Sequence, residues 1–394
     1  MPDSMLFAAL ALVCAAALGE LLWRRFGWPR PAAYAAVGLA VGVSGADVAG
    51  TAPALRLALD GALALLLFEA GARLNLRWLG RNPSLLWTSL CEALLSAVAV
   101  YGIARLLDVS AQAAAALGVI AMSVSPAVVQ RVVGECHAAG QVTERLRLLS
   151  TLNTLYAILA MQCLIAGFLL FDAATWQQAW PPLLFSFCAS LLLGVALGSI
   201  LVAVARRLDL RSDSAVVLLL CFILSALLIA KLLQLSTLLV PLLAGMWLRN
   251  RSERPWVWPH QFGSAGAALI LVMFVATGAS VSLDVWPAAL GLAAAMLAIR
   301  ALTKSAAILA LAGPSGLAVR QAVALGGTML PLSATAWVLA LDFAATHPTA
   351  GAALLPAVLA AIALIDVIAP VVMFNVLRHM GELDGARPPG GGER

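Results

Sequence analysis

Five ionisable side chains of this 394-residue sequence stand within long apolar runs: Glu69, Glu92, Arg300, Lys304 and Asp366. In a bilayer such a group costs about 2.5–3.5 kcal/mol on insertion scales, so its presence points to a task. Arg300 and Asp366 lie nearest the centres of their runs. Two uses of these residue types follow. Arg300 or Lys304 can pair with Asp366, each neutralising the other and fixing helix packing. Alternatively, a carboxylate taken out of water exchanges a proton for a cation while the base supplies competing positive charge. One pair can serve both ends. Glu20, close to Arg24, reads as an interfacial group, and Lys231 as a side chain that snorkels outward.

The backbone adds a second signal. AMSVSPAVVQ (121–130) and GGTMLPLSATAW (326–337) place Pro126 and Pro331 among clustered hydroxyls in the middle of apolar runs. Such interruptions free backbone carbonyls and amides, which a membrane tolerates only where they line a cavity or are covered by protein. One break alone is read equally well as a simple kink. A matched pair fits inverted repeats that each donate a discontinuous helix to a midplane ion site.

The elements that must hold these groups follow from composition. Hydrophobic residues make up 63% of the chain and charged residues 11%, against roughly 45–50% and about 25% in soluble domains. Apolar runs long enough to span, about 20 residues each, are predicted at 5–22, 32–49, 54–72, 84–105, 112–133, 146–171, 181–205, 214–231, 235–248, 264–281, 287–312, 319–341 and 351–377. Nineteen of the 24 basic residues fall on alternate loops of that thirteen-helix scheme, leaving Arg56, Arg105, Lys231, Arg300 and Lys304 elsewhere. By the positive-inside rule those loops are cytoplasmic, the N-terminus is outside and the C-terminus inside. The fold class expected is therefore an all-α membrane protein of about 13 transmembrane helices, with two crossing discontinuous helices. Its parts would be a six-helix repeat over 1–172, a linker helix region at 173–213, an inverted repeat over 214–378 and a disordered cytoplasmic tail at 379–394.

Several function classes drop out. The breaks between apolar runs leave no room for a soluble domain. The net charge of +5 sets membrane orientation rather than marking a nucleic-acid surface. The first run follows Asp3 with no basic residue before it, unlike a cleaved signal peptide, and reads as the first helix. Cys14, Cys91, Cys136, Cys163, Cys188 and Cys221 share no metal-like spacing. The four His sit in loops or at helix ends, and no cluster has a catalytic spacing. An enzyme, a metal centre and a bound cofactor are not expected.

Six segments, in order, resemble the monovalent cation/proton antiporter (sodium/hydrogen exchanger) superfamily: GWPRPAAYAAVGLAVGVSG (27–45), LLLFEAGARLNLRWL (65–79), VIAMSVSPAVVQRVVGE (119–135), LVMFVATGASVSL (271–283), AIRALTKSAAILAL (298–311) and VRQAVALGGTMLPLSATAWVLA (319–340). The resemblance implies a core of helices 4–6 and 11–13 moving like an elevator against a dimerising panel of helices 1–3 and 8–10. It implies exchange of Na⁺ or K⁺ for protons in a bacterial inner membrane, by a homodimer. The helix that bears the family's essential base matches Arg300 and Lys304.

The sixth helix departs from the family's pattern. Where the family carries Glu-Ser-x-x-Asn-Asp, this sequence has LSTLNTLYAI (149–158), with Asn153 at the Asn and Thr154 at the titrating Asp. A threonine hydroxyl ligates but does not titrate near neutral pH. Three explanations follow. A relocated carboxylate, Asp366 or Glu69, restores exchange. The scaffold carries another substrate, as a cation-coupled organic-solute symporter does. Or the chain is a transport-inactive membrane module. The working expectation is antiport, with Asn153, Thr154, Ser123 and Ser125 as ion ligands and Asp366 as the proton-linked carboxylate. Arg300 or Lys304 is its basic counterpart, and Glu69 and Glu92 are vestibule or structural charges.

Overall fold

The computed structural model describes residues 2–44, 53–172, 176–207, 213–252, 260–279, 286–332 and 334–383. Helix dominates them: α1 (Pro2–Phe26), α2 (Arg30–Val43), α3 (Pro53–Arg73), α4 (Leu76–Arg81), α5 (Pro83–Leu106), α6 (Ala111–Met122), α7 (Pro126–Glu135) and α8 (Gln141–Asp172). They continue with α9 (Trp176–Arg207), α10 (Asp213–Leu232), α11 (Leu239–Arg251), α12 (His260–Ala279), α13 (Trp286–Ala310), α14 (Val319–Thr328), α15 (Ala334–Thr346) and α16 (Pro348–Met380). Among the described residues, seven stretches are long and apolar enough to cross a membrane, and Ala111–Glu135, which joins α6 to α7, is one of them.

The predicted run 112–133 divides into α6 and α7 around the extended Ser123 and Ser125. The run 319–341 divides into α14 and α15 around Met329–Pro331. The long apolar stretch across Lys231–Thr237 is interrupted, with Gln234 at φ 54°. Helix α4 is an addition to the predicted segments. It starts where the Asn75 side chain accepts from the Trp78 N–H at 3.2 Å, a short-range cap that hydropathy does not register. Residues 45–49 and 280–281 of two predicted runs, and the tail from 384 onward, lie outside the described residues. Helix α16 reaches Met380, and Glu382 accepts from the N–H groups of Val142 and Thr143, both at 2.8 Å. A carboxylate there caps the start of α8 and suits its positive end.

Contacts divide the chain into two compact units. The first holds Met1–Ala52, Ser84–Thr154 and Leu271–Arg394. Its spine is α16, which packs against α2, α6, α7, α13, α14 and α15. Within it, α2 meets α12 so closely that a Cβ at Gly38 would lie 2.5 Å from the Val275 carbonyl oxygen, and one at Gly278 would lie 2.6 Å from the Leu39 nitrogen. The second unit holds Pro53–Pro83 and Leu155–Ile270. There α11 packs between α3 and α9, around Phe68, Leu197, Val240 and Leu248. Gly71 faces the Leu242 carbonyl and Gly245 the Phe68 carbonyl with no room for a side chain. Lipid tails are as apolar as leucine, so helices associate through close backbone contact of this kind.

Because each obstacle is backbone, a side chain at these positions cannot be accommodated by a rotamer change. Gly245→Val should lower stability by about 2 kcal/mol or more, read as the thermal unfolding midpoint in detergent. Gly102, in α5, has nothing within 4 Å of its would-be Cβ, so Gly102→Ala should be neutral or stabilising by about 0.5–1 kcal/mol. Equal midpoints for the two variants would remove the close crossing as a source of stability.

Candidate ion site

Within the first unit, α5, the part of α8 up to Thr154, and α13 each bring a short polar row to the broken α6–α7 segment. Ser89, Glu92 and Ser96 recur at spacings of three and four on α5, which puts them on one face, and all are fully buried. Ser150, Asn153 and Thr154 do the same on α8. Arg300 and Lys304, one turn apart on α13, are buried with 0% and 1% of their surface exposed.

What they meet is bare backbone. Helix α6 stops at Met122, so the carbonyls of Ala121, Met122, Ser123 and Val124 have no helical N–H to accept from. Each accepts instead from a side chain. Ala121 O takes the Arg300 Nε at 3.0 Å and the Ser96 hydroxyl at 3.2 Å. Met122 O takes the Lys304 ammonium at 3.1 Å, and Ser123 O takes an Arg300 terminal nitrogen at 2.5 Å. Val124 O takes the Thr154 hydroxyl at 2.8 Å. The other terminal nitrogen of Arg300 reaches Leu330 O at 2.7 Å, beyond the end of α14. The two breaks are joined directly as well, since the Ser125 N–H donates to Pro331 O at 2.9 Å. The remaining serine atoms serve local ends: the Ser123 hydroxyl donates to Ile120 O, and the Ser125 oxygen caps α7 by accepting from Val128 N. Pro126 occupies the first turn of α7, where its missing N–H costs nothing.

The carboxylate at this centre is Glu92. Lys304 Nζ lies 2.6 Å from its Oε2, and the Asn153 amide donates to its Oε1. Asn153 is held in turn by the Ser89 hydroxyl, which donates to its Oδ1 at 3.1 Å. The expected partnership of Arg300 or Lys304 with Asp366 is replaced. Arg300 is spent on carbonyls and Lys304 on Glu92, while Asp366 is buried on α16 with its Oδ1 lacking any hydrogen-bond partner among the described residues. Depth along the helix favoured Asp366 in the sequence; the face on which a carboxylate lies decides its partner. The row Ser89, Glu92, Ser96 on an otherwise apolar helix was the signal that could have promoted Glu92.

Other charges settle outside this cluster. Glu69, in the second unit, pairs with Arg73 one turn on at 2.7 Å. Lys231 pairs with Asp60 of α3 rather than standing alone. Glu20 bonds Arg24 at 2.7 Å as expected, and also Arg30 at 3.0 Å. An ion cluster absent from the sequence reading ties α7 to the start of α2: Glu135 lies 2.7 Å from Arg131 and accepts from the Arg30 N–H at 3.0 Å. At the end of α7, burial, aided by the Glu135 charge, pushes the Cys136 thiol up to about 12, so it stays protonated and a poor metal ligand.

Comparison with known proteins bears on the family and fold of the chain. The family described as sodium/hydrogen exchanger, transmembrane, matches residues 8–379. Two structures of the sodium proton antiporter MjNhaP1 from Methanocaldococcus jannaschii share the fold. One, at pH 8, superposes with a TM-score of 0.62 at 14% identity and 96% coverage of both chains. The other, from electron microscopy, gives 0.66 at 15% identity and 97% coverage of both. No curated protein sequence matches significantly.

Arg300 satisfies three carbonyls that nothing else on its helix reaches. Arg300→Met should therefore cost about 3 kcal/mol or more, the penalty for leaving buried acceptors bare. Arg300→Lys, with a point charge in place of a fork, should fall between that variant and the native chain. Thermal unfolding in detergent ranks the three; a lysine variant as stable as the native chain would show that the fork geometry is immaterial.

Proposed function

The chain belongs to the sodium/hydrogen exchanger family, and from that premise we propose that it exchanges a monovalent cation, Na⁺ or K⁺, for protons across a bacterial inner membrane. The family is one of integral membrane transporters, so the ions are substrates and no cofactor is required. The observation that carries the proposal is the junction of the two breaks. Ser125 N–H bonds Pro331 O, Arg300 bridges both, and Asn153 and Thr154 stand beside them. Free backbone at that depth, lined by amide and hydroxyl oxygens, is the kind of site in which a small cation replaces its water shell. Asn153, Thr154, Ser123 and Ser125 are the proposed neutral ligands. Among the described residues Glu92 and Asp366 are the carboxylates buried in this unit, and Glu92 is the one in contact with the junction.

In this reading the helices form thirteen spans. The pairs α6–α7 and α14–α15 each count once, and α4 lies at the surface. The halves are inverted repeats, span n corresponding to span n+7. The glycine crossings support this. Spans 2 and 10 cross at Gly38 and Gly278, and spans 9 and 3 at Gly245 and Gly71. The repeat operation sends the first pair onto the second. The arginine distribution favours an outside N-terminus and a cytoplasmic C-terminus, and the family resemblance favours a homodimer.

The test is a pH-gradient dequenching assay in proteoliposomes with Na⁺, K⁺ and Li⁺, on the native chain and Thr154→Asp. The native chain should collapse the gradient with at least one of these cations. If it is silent to all three while Thr154→Asp responds, antiport is not its native activity, and solute symport or a non-transporting role takes its place.

A further inference from the structure

Within the antiport reading, we infer that the exchange carboxylate is Glu92 of α5, and that the transported cation binds where the Lys304 ammonium now sits. The inference rests on which oxygens that ammonium occupies. Lys304 Nζ contacts a carboxylate oxygen, Glu92 Oε2 at 2.6 Å, and a backbone carbonyl, Met122 O at 3.1 Å. A charged oxygen and a carbonyl freed by a helix break are what a dehydrated monovalent cation requires. Ammonium and cation thus compete for one set of oxygens. Glu92 is also held in place by a group that does not need to move, because Asn153 bonds its other oxygen and is itself fixed by Ser89.

The other charged groups divide the work by their contacts. Arg300 is committed to Ala121 O, Ser123 O and Leu330 O and keeps its proton, which makes it a clasp on the two breaks. Asp366, on α16 packed against α13, contacts neither base by hydrogen bond or ion pair among the described residues. Thr154 bonds Val124 O and so closes the carbonyl next along from Ser123. That leaves Glu92 and Lys304 as the pair that can change state. When a cation reaches Glu92 Oε2, the ammonium is displaced, one N–H bond of Lys304 breaks, and the proton passes to water. The loaded site then holds a carboxylate, a cation and a neutral amine. Its net charge equals that of the original ion pair, so one cation exchanges for one proton.

The experiment compares the native chain, Glu92→Asp, Glu92→Gln and Asp366→Asn in proteoliposomes, with cation titrations of the dequenching rate. Elution in detergent serves as the check of folding. Glu92→Gln should lose cation-driven exchange by about tenfold or more, whereas Glu92→Asp should retain it with a raised KM for the cation. Rescue by the shorter acid with a changed KM is not what a structural ion pair alone would give. If Glu92→Gln does not fold, Glu92→Gln/Lys304→Gln, which removes both charges together, is held to the same loss. An imposed membrane potential should leave the native rate unchanged. Exchange in Glu92→Gln at the native rate, loss confined to Asp366→Asn, or acceleration by the potential would each overturn the inference. A native chain that exchanges no cation would instead overturn the antiport reading, and this inference with it.

Discussion

Four consecutive carbonyls at the end of α6 have no helical donor, and the site is built around that fact. In water they would be hydrated at little cost. In a bilayer each would carry a penalty of several kcal/mol unless another donor arrived. The donors come from three different helices: Ser96 from α5, Thr154 from α8, and Arg300 and Lys304 from α13. A break in one helix therefore dictates polar rows on its neighbours. Arg300 extends the same logic to the second break by reaching Leu330 O. Its five N–H groups in a rigid fork serve carbonyls from two separate chain segments, which an ammonium on a flexible stem does less well.

Packing around this centre draws on a different resource. Without a hydrophobic drive between helices in lipid, association depends on how near two backbones can come. The crossings at Gly38 and Gly278, and at Gly71 and Gly245, bring helix axes together in each compact unit by itself. Within the first unit, α16 touches the helices on both sides of each break and α13, which bears Arg300 and Lys304. A junction that relies on hydrogen bonds of 2.5–3.2 Å from several helices tolerates little drift in their spacing.

Much of this was legible in the sequence, and the limits are physical. Pro126 and Pro331 among hydroxyls located both breaks, because proline and serine act on the backbone locally. Apolar length located the helices, and the split near Lys231 fell where expected. Helix α4 was missed because its capping by Asn75 is a one-residue signal. The partnerships of charges were harder. Asp366 was favoured as the partner of Arg300 or Lys304 because both lie deep in apolar runs, but depth is only one of the coordinates that place a side chain. The direction in which Glu92 points is set by α5 packing against the α6 break and α8, through Ser96 on Ala121 O and Ser89 on Asn153. Hydropathy carries no trace of that rotation. Likewise the ordered end of α16 depends on Glu382 meeting the start of α8, a contact 239 positions apart in sequence for Thr143.

Thr154 gains meaning from the same accounting. At this position a hydroxyl donates to Val124 O, which an ionised carboxylate, having no proton, cannot do. An aspartate there would face the carbonyl with like partial charge unless a cation lay between them. Threonine closes that carbonyl and leaves the neighbourhood without an acid on α8. The acid present is on α5, where Glu92 meets both Lys304 and Asn153. The two features are complementary. A charge supplied from α5 requires α8 to offer a donor, or one of the four carbonyls would stand bare. Leucine at 149, fully buried, adds no second acid to α8.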